Sequence, residues 1–287
     1  MVDLALSVLF TSLLYVIFKL FAVYKVQTLY AIITNYFTAS FVGTFFFDTA
    51  LNLGDAPQKT WFWGTFALGV LFIIVFNITA KSSQELGVSV TSVASKMSLV
   101  VPVIFGVVLY KESLSYLQVI GIALAVIAVY FASSKPRTLD ALKGPLWLPL
   151  MVFIGSGLID VALNYFQERH VPQNEIPLFS STVFMAAGTT GIVFILLRSF
   201  RKPLKVNFKN VLWGILLGIP NYFTVYFLLR ALRNEHLNSA SVFTVNNVAI
   251  VLFTTLLGII IFKERLSIKN WSGIALAVIS IILVALF

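Results

Sequence analysis

The chain has 287 residues, of which 59% are hydrophobic and only 11% are charged, and its formal net charge is +9. Soluble proteins carry about 25% charged residues, so this composition excludes a soluble domain. Most of the positive charges lie between apolar runs, where they indicate contact with anionic lipid headgroups rather than with nucleic acid.

Apolar runs of membrane-spanning length follow one another along the chain. A span needs about 20 mainly apolar residues. Continuous runs indicate helices rather than the alternating strands of a membrane barrel. The sequence therefore predicts an all-α integral membrane protein, beginning with a retained first helix. The ten predicted spans cover residues 4–23, 28–47, 61–80, 88–109, 116–133, 146–167, 178–197, 211–229, 239–262 and 270–287.

An internal repeat fixes how these spans are grouped. Residues 121–127 reappear letter for letter at 273–279, 152 positions later. The same offset also aligns Gly106 with Gly258, Lys111-Glu112 with Lys263-Glu264, and Leu114-Ser115 with Leu266-Ser267. The repeat predicts two five-helix halves, 1–133 and 146–287. Because five is odd, the second half is inverted in the membrane, and inverted repeats are typical of transporters whose substrate site lies at the repeat interface.

Lysine and arginine give a first estimate of orientation. Loops after the odd-numbered spans hold thirteen of these residues and the other loops hold five. By the positive-inside rule this places both termini outside.

Asp160 is the most informative of the three ionisable residues that fall inside the predicted spans. It lies about 20 Å along the sixth span, too deep for a short side chain to reach the interface. A charge there costs at least a few kcal/mol, so it needs a partner, a wet cavity or a function. Asp160 either carries a proton or binds a cationic group, or else it is an acid paired permanently with a lysine or capping a helix break.

Lys96 breaks the internal symmetry, because its repeat equivalent is Val248. The scaffold does not require this charge, which favours an anchor for a carboxylate or phosphate of a substrate. The alternatives are a partner for Asp160 or a long side chain that snorkels to the interface. Lys19 lies near the end of the first span, where snorkelling is favoured.

Polar amides and one proline add to the predicted site. Asn164, Asn221 and Asn246 fall within spans, where they either bind a substrate or join neighbouring helices by hydrogen bonds. Pro220, beside Asn221, is expected to loosen the eighth span and so favours an irregular polar cavity. The predicted substrate-binding residues are Lys96, Asp160, Asn164, Asn221 and Asn246.

Other residues favour scaffold roles. Gly121 with Ala125, and Gly273 with Ala277, have the small-x-x-x-small spacing of closely packed membrane helices. Lys111-Glu112 and Lys263-Glu264 are interpreted as loop charges.

No catalytic or cofactor chemistry is indicated. Gly155-Ser156-Gly157 resembles a membrane serine-protease nucleophile, but no histidine lies at membrane depth to activate it. There is no Walker A sequence to bind ATP. The absence of cysteine excludes disulfides and thiolate metal sites. Neither an enzyme nor a bound cofactor or metal is expected.

The repeated Gly–Lys-Glu–Leu-Ser–Gly pattern at 106–121 and 258–273 resembles the drug/metabolite transporter superfamily, and the EamA-type family within it. That family usually has Gly-Glu where both copies here have Lys-Glu. The resemblance implies a central cavity lined by spans 1, 3, 4, 6, 8 and 9, with spans 5 and 10 at the periphery. It also implies cytoplasmic termini, which conflicts with the count of basic loop residues.

The sequence therefore favours a secondary transporter of a small polar metabolite such as an amino acid, working by alternating access and with proton coupling as an option. The alternative is a non-transporting membrane scaffold or lipid-binding protein. The expected location is the inner membrane of a bacterium. The expected partners are a small-molecule substrate and the lipid bilayer, with a homodimer left open.

Overall fold

The computed structural model describes residues 2–45, 53–110, 115–134, 146–199, 207–232 and 239–286, and every regular element in these ranges is helical. The all-α prediction is confirmed for them. Two short 3₁₀ helices cover Leu53–Gln58 and Gln173–Glu175. The α-helices are α1 (Val2–Val23), α2 (Thr28–Thr44), α3 (Phe62–Leu86), α4 (Val88–Met97), α5 (Val100–Tyr110), α6 (Tyr116–Ala132), α7 (Trp147–Arg169), α8 (Ile176–Ser199), α9 (Phe208–Leu232), α10 (Ser239–Phe262) and α11 (Ile268–Leu286).

Eight helical stretches within the described ranges are long and apolar enough to cross a membrane. One of them, Val88–Gly106, runs through both α4 and α5. Helix α6 is apolar but shorter, and α2 also has only 17 residues. Helix length and composition therefore establish a multi-pass membrane protein, and the count of ten spans stays a prediction. The predicted continuation of the second span to residue 47 lies outside the described residues.

The fourth predicted span is not one helix but two. Helix α4 ends at Met97 and α5 begins at Val100, so the chain turns at Ser98 and Leu99. Pro102 explains this break, because its missing N–H cannot bond to the Ser98 carbonyl four residues earlier and its ring crowds that group. The Val101 N–H donates to the Ser98 carbonyl instead, at 2.8 Å. The predicted fourth span is thus present as the apolar stretch Val88–Gly106, but a turn divides it into two helices.

The eighth span behaves in the opposite way. Helix α9 continues without interruption from Phe208 to Leu232, with Pro220 inside it. Membrane helices tolerate an internal proline where neighbouring groups take over the freed backbone positions. The helix is therefore regular at Pro220, where an irregular backbone was expected. The irregular turn at Ser98–Leu99 was not predicted.

The chain forms two compact units, each assembled from separate segments. Unit 1 contains residues Met1–Leu20, Ile78–Leu158 and Phe223–Phe287, and unit 2 contains Phe21–Asn77 and Ile159–Tyr222. Each unit draws on both predicted halves of the sequence. The repeat halves 1–133 and 146–287 themselves stay a prediction.

Helices α6 and α11 of unit 1 carry the duplicated sequence and pack against each other. Ala125 and Ala277 are fully buried. A Cβ atom at Gly121 would lie 2.7 Å from the Val284 side chain, and one at Gly273 would lie 2.8 Å from the Ala132 Cα. The small residues therefore permit close helix contact, and the scaffold interpretation of both pairs is confirmed.

The same two helices begin with equivalent caps. Ser115 and Gln118 form a reciprocal capping box at the start of α6, and Ser267 with Asn270, at the same repeat positions, caps α11. Asn270 does more than its counterpart. Its amide group also donates to the Ala132 carbonyl at 2.7 Å, satisfying the last turn of α6.

Unit 2 contains another close contact between helices, that of α2 with α9. Gly214 and Gly218 are four residues apart on α9, and a Cβ atom at either would lie within 2.7 Å of a backbone oxygen of α2, that of Ala31 or Asn35. This Gly-x-x-x-Gly spacing is a common motif of membrane helix pairs. This glycine pair is not among the predicted scaffold residues, although its spacing is visible in the sequence at 214–218.

An ion pair joins two loop regions of unit 2. The Lys59 ammonium lies 2.6 Å from the Glu175 carboxylate, which also accepts a hydrogen bond from the indole N–H of buried Trp61 at 3.0 Å. The hydrogen bond from Lys59, and then that from Trp61, lower the pKa of Glu175 below its ordinary value of 4.5, against the opposing effect of burial. Both hydrogen bonds favour the ionised carboxylate.

We expect Gly273→Leu to destabilise the protein by about 1–3 kcal/mol, because the larger side chain must push α11 away from α6. Thermal unfolding in detergent measures the change. Ala275→Leu is the matched control, since Ala275 is an exposed small residue on the same helix. Equal loss of stability in both variants would contradict the packing interpretation.

We expect Glu175→Gln to reduce the acid sensitivity of folding. Because the folded pKa of Glu175 is lowered, its contribution to stability is complete above the ordinary pKa and is lost as pH falls through the folded value. Unfolding temperatures measured from about pH 6 down to about pH 3 should therefore fall less steeply in the variant. Asp55→Asn, at an exposed position, serves as the control and should leave the slope unchanged.

Candidate functional site

Lys96 lies in the last turn of α4, directly before the Ser98–Leu99 turn, and is partly buried. The final carbonyl groups of a helix lack intrahelical partners and carry a partial negative charge. This end of α4 therefore stabilises a cation and offsets part of the cost of keeping Lys96 inside the membrane. The break also leaves backbone groups without intrahelical partners at the same point. This part of the fourth span is therefore polar.

Hydroxyl groups surround this turn. The Ser98 hydroxyl donates to the Ser95 carbonyl at 2.5 Å, and the Ser95 hydroxyl lies 3.3 Å from that of Ser156 on α7. A Cβ atom at the neighbouring Gly157 would lie 3.0 Å from the Ser98 carbonyl oxygen. Gly155-Ser156-Gly157 thus has a packing role, in which the glycine lets α7 approach the broken helix.

The other end of α4 is capped by a distant residue. Gly87 supplies no side chain to cap α4. The Glu264 carboxylate accepts hydrogen bonds from the Val88 N–H at 2.8 Å, the Ser89 N–H at 3.3 Å and the Ser89 hydroxyl at 2.7 Å. An anion at a helix N-terminus is stabilised by these N–H groups and by the helix dipole. Glu264 lies in the loop between α10 and α11, as predicted, and its carboxylate has the additional role of capping α4. Its repeat equivalent Glu112 lies outside the described residues.

Lys19 stabilises the helix end that precedes this cap. Its ammonium donates to the Gln84 carbonyl in the last turn of α3 at 2.9 Å, and the Glu264 carboxylate attracts the same charge. Lys19 therefore has partners within unit 1, where the sequence favoured snorkelling to the lipid interface.

Asn246 is the second predicted site residue in unit 1. It lies on α10 and is only 2% exposed. Its side-chain oxygen has no hydrogen-bond partner among the described residues. A buried amide acceptor left without a donor is costly, so such a group marks a place where a water molecule or a ligand would be stabilised.

The other three predicted residues belong to unit 2. Asp160 is partly buried on α7, and Asn164, one turn further, is exposed. Asn221 is buried on α9, and its amide group donates to the side-chain oxygen of Asn35 on α2 at 3.2 Å. The Asn35 amide nitrogen is itself buried without a partner among the described residues. Asn35 is not one of the predicted site residues, but its side chain accepts a hydrogen bond from Asn221.

The predicted residues are divided between the two units. Lys96 and Asn246 belong to unit 1, whereas Asp160, Asn164 and Asn221 belong to unit 2. The common site that the sequence suggested stays a prediction.

Comparison with known proteins identifies the family of this chain. A model of the EamA-like transporter family matches residues 3–134 and again residues 143–286. The chain belongs to the EamA-like transporter family. It is thus a membrane transporter of the drug/metabolite type, as the Lys-Glu–Leu-Ser pattern predicted.

Two similar proteins extend this finding. An uncharacterised protein of Haemophilus influenzae is 30% identical over 212 residues, which cover 72% of this chain and 70% of that protein. A protein of known crystal structure aligns with 98% of this chain over 97% of its own chain, with a TM-score of 0.56 and 15% identity. At that identity the second likeness concerns the fold alone.

We expect Asn35 and Asn221 to be energetically coupled. A double-mutant cycle of Asn35→Ala and Asn221→Ala should give a coupling of about 0.6 kcal/mol, the average for hydrogen bonds between membrane helices, and at most about 1.7 kcal/mol. Unfolding in detergent provides the free energies. Asn77 is the control partner for Asn221, because its amide bonds to the Ile73 carbonyl of its own helix. Zero coupling between Asn35 and Asn221 would show that their hydrogen bond does not stabilise the protein.

Proposed function

We propose that this EamA-like protein is a secondary active transporter that moves a small polar metabolite, such as an amino acid, by alternating access. The observation that carries the proposal is the break in the fourth span, with Lys96 in the last turn before it. Broken helices in transporters present backbone ends and polar side chains to a substrate near the middle of the bilayer.

The break and the charge occur in one repeat only. Lys96 is replaced by Val248 and Pro102 by Thr254 at the equivalent positions, and α10 is continuous there. A scaffold requirement would apply to both copies. The occurrence of two exceptions only six residues apart, less than two turns of helix, therefore supports a functional origin.

Each predicted residue has a proposed role. Lys96 binds an anionic group of the substrate, and Asp160 carries a proton or binds an amine. Asn221 and Asn246 add amide hydrogen bonds, and Asn164 lines the path at an exposed position. A molecule with both a carboxylate and an amine would satisfy Lys96 and Asp160 together, which is the reason for naming an amino acid.

The membrane arrangement is part of the same proposal. We infer ten spans in two inverted five-helix repeats, with α4 and α5 forming one broken span. The two matches to the family model support this division. The Haemophilus influenzae relative supports a location in a bacterial inner membrane.

The substrate class can be tested before any transport assay. Purified protein in detergent is heated with amino acids, nucleobases, sugar phosphates or cationic drugs, each at millimolar concentration. A ligand that binds the folded state raises the unfolding temperature. Stabilisation by amino acids is expected, whereas stabilisation by none of these compounds would favour the non-transporting alternative.

Mutations then test the site. In liposomes, exchange of the stabilising compound should fall at least about tenfold in Lys96→Met, because a charge-assisted hydrogen bond of about 1.5–3 kcal/mol is lost. Asp160→Asn should abolish uptake driven by a pH gradient. Lys81→Met and Asp55→Asn make the same chemical changes at exposed side chains and serve as controls. Wild-type rates in both site variants would refute the assignment.

A further inference from the structure

We propose that Glu264 is a positioning residue for Lys96: its carboxylate fixes the start of α4, and the short helix transmits that position to the lysine at its other end. The proposal rests on the proposed function of Lys96. The sequence offers no local reason for such a role, since Glu264 follows α10 and is 176 positions from Val88.

The carboxylate occupies a closely fitted place. A Cβ atom at Gly87 would lie 2.5 Å from one carboxylate oxygen of Glu264, and one at Gly258 would lie 2.6 Å from the other. Two glycines on different parts of the chain thus leave room for the same group. Gly87 also has a φ of 104°, a conformation that side-chain-bearing residues rarely adopt.

The backbone around Glu264 directs its side chain. Lys263 has a φ of 53°, which ends α10 in the left-handed region. The Glu264 N–H then donates to the carbonyl of Gly258, six positions earlier on α10, at 3.1 Å. This turn fixes the Glu264 backbone against α10, so the carboxylate is held rather than free to move.

Helix α4 is short enough to transmit this constraint. It has ten residues, so Val88 and Lys96 are separated by about 12 Å along a single helix. Without Glu264, the N–H groups of Val88 and Ser89 would lose their acceptor, and the helix would be free to fray or rotate at its start. The remaining constraints would then be the packing of Val93, Ala94 and Met97 in the core of unit 1 and two hydroxyl contacts. These contacts join Thr91 to Ser82 and Ser95 to Ser156.

The absence of native cysteine permits a direct test. A single cysteine introduced as Lys96→Cys is labelled with a water-soluble maleimide in the purified protein, and the rate is compared in the presence of Glu264→Gln and Glu264→Ala. We expect the rate to change at least about threefold, more in the alanine variant, because glutamine keeps one acceptor oxygen. Glu85→Gln, the same change on α3, should have no effect.

Two further measurements separate positioning from general loss of structure. Amide hydrogen exchange at Val88 and Ser89 should accelerate about tenfold in Glu264→Ala, which reports the loss of the cap itself. A buried cysteine introduced as Ser40→Cys in unit 2 should stay unlabelled, since Ser40 is fully buried. Labelling at both positions would indicate unfolding and would overturn the proposal.

The outcomes distinguish this proposal from the function on which it rests. An unchanged labelling rate at residue 96 with a lost cap would show that core packing alone places Lys96, and would overturn the positioning role. A changed rate together with wild-type transport in Lys96→Met would support the positioning of residue 96 and refute its role in transport.

Discussion

Backbone groups at helix ends must find partners inside the protein where no water is present. In unit 1 these partners come from distant parts of the chain. Glu264 accepts from the start of α4, Lys19 donates to the end of α3, and Asn270 donates to the end of α6. Each contact joins two helices and satisfies a helix end at once. The close approach of helices at Gly87 and Gly258 follows from the same requirement, since both glycines make room for the Glu264 carboxylate.

The internal repeat is informative chiefly where its two copies differ. Gly121 and Gly273 support the same kind of contact in α6 and α11, so this part of the repeat describes the scaffold. Lys96 and Pro102 have no equivalent in the second copy, and they lie on either side of the only break within a predicted span among the described residues. Symmetry is thus lost where a polar group and an irregular backbone are brought to one place, a combination that is typical of substrate sites in transporters.

The presence of a proline does not by itself predict where a membrane helix breaks. Pro102 and Pro220 both fall within apolar runs, yet only Pro102 coincides with a break. Near Pro102, the Ser98 hydroxyl bonds to the Ser95 carbonyl and Gly157 lets α7 approach the turn. Near Pro220, Gly218 brings α9 against α2 and Asn221 bonds to Asn35, which together support a continuous helix. The neighbours of each proline decide the outcome, and they come from other segments.

The sequence by itself determined that the protein is helical, crosses the membrane several times and belongs to a transporter family, because hydrophobic run length, small-residue spacing and a repeated motif are local properties of the chain. It also drew attention to Lys96 and Asp160, since isolated charges within apolar runs are costly wherever the chain folds. Only the tertiary structure decided that Glu264 caps α4, that Asn221 pairs with Asn35 and that the fourth span is broken beside Lys96. Those features depend on which distant groups meet, and hydrogen bonds act over a few ångströms between residues that are far apart in the chain.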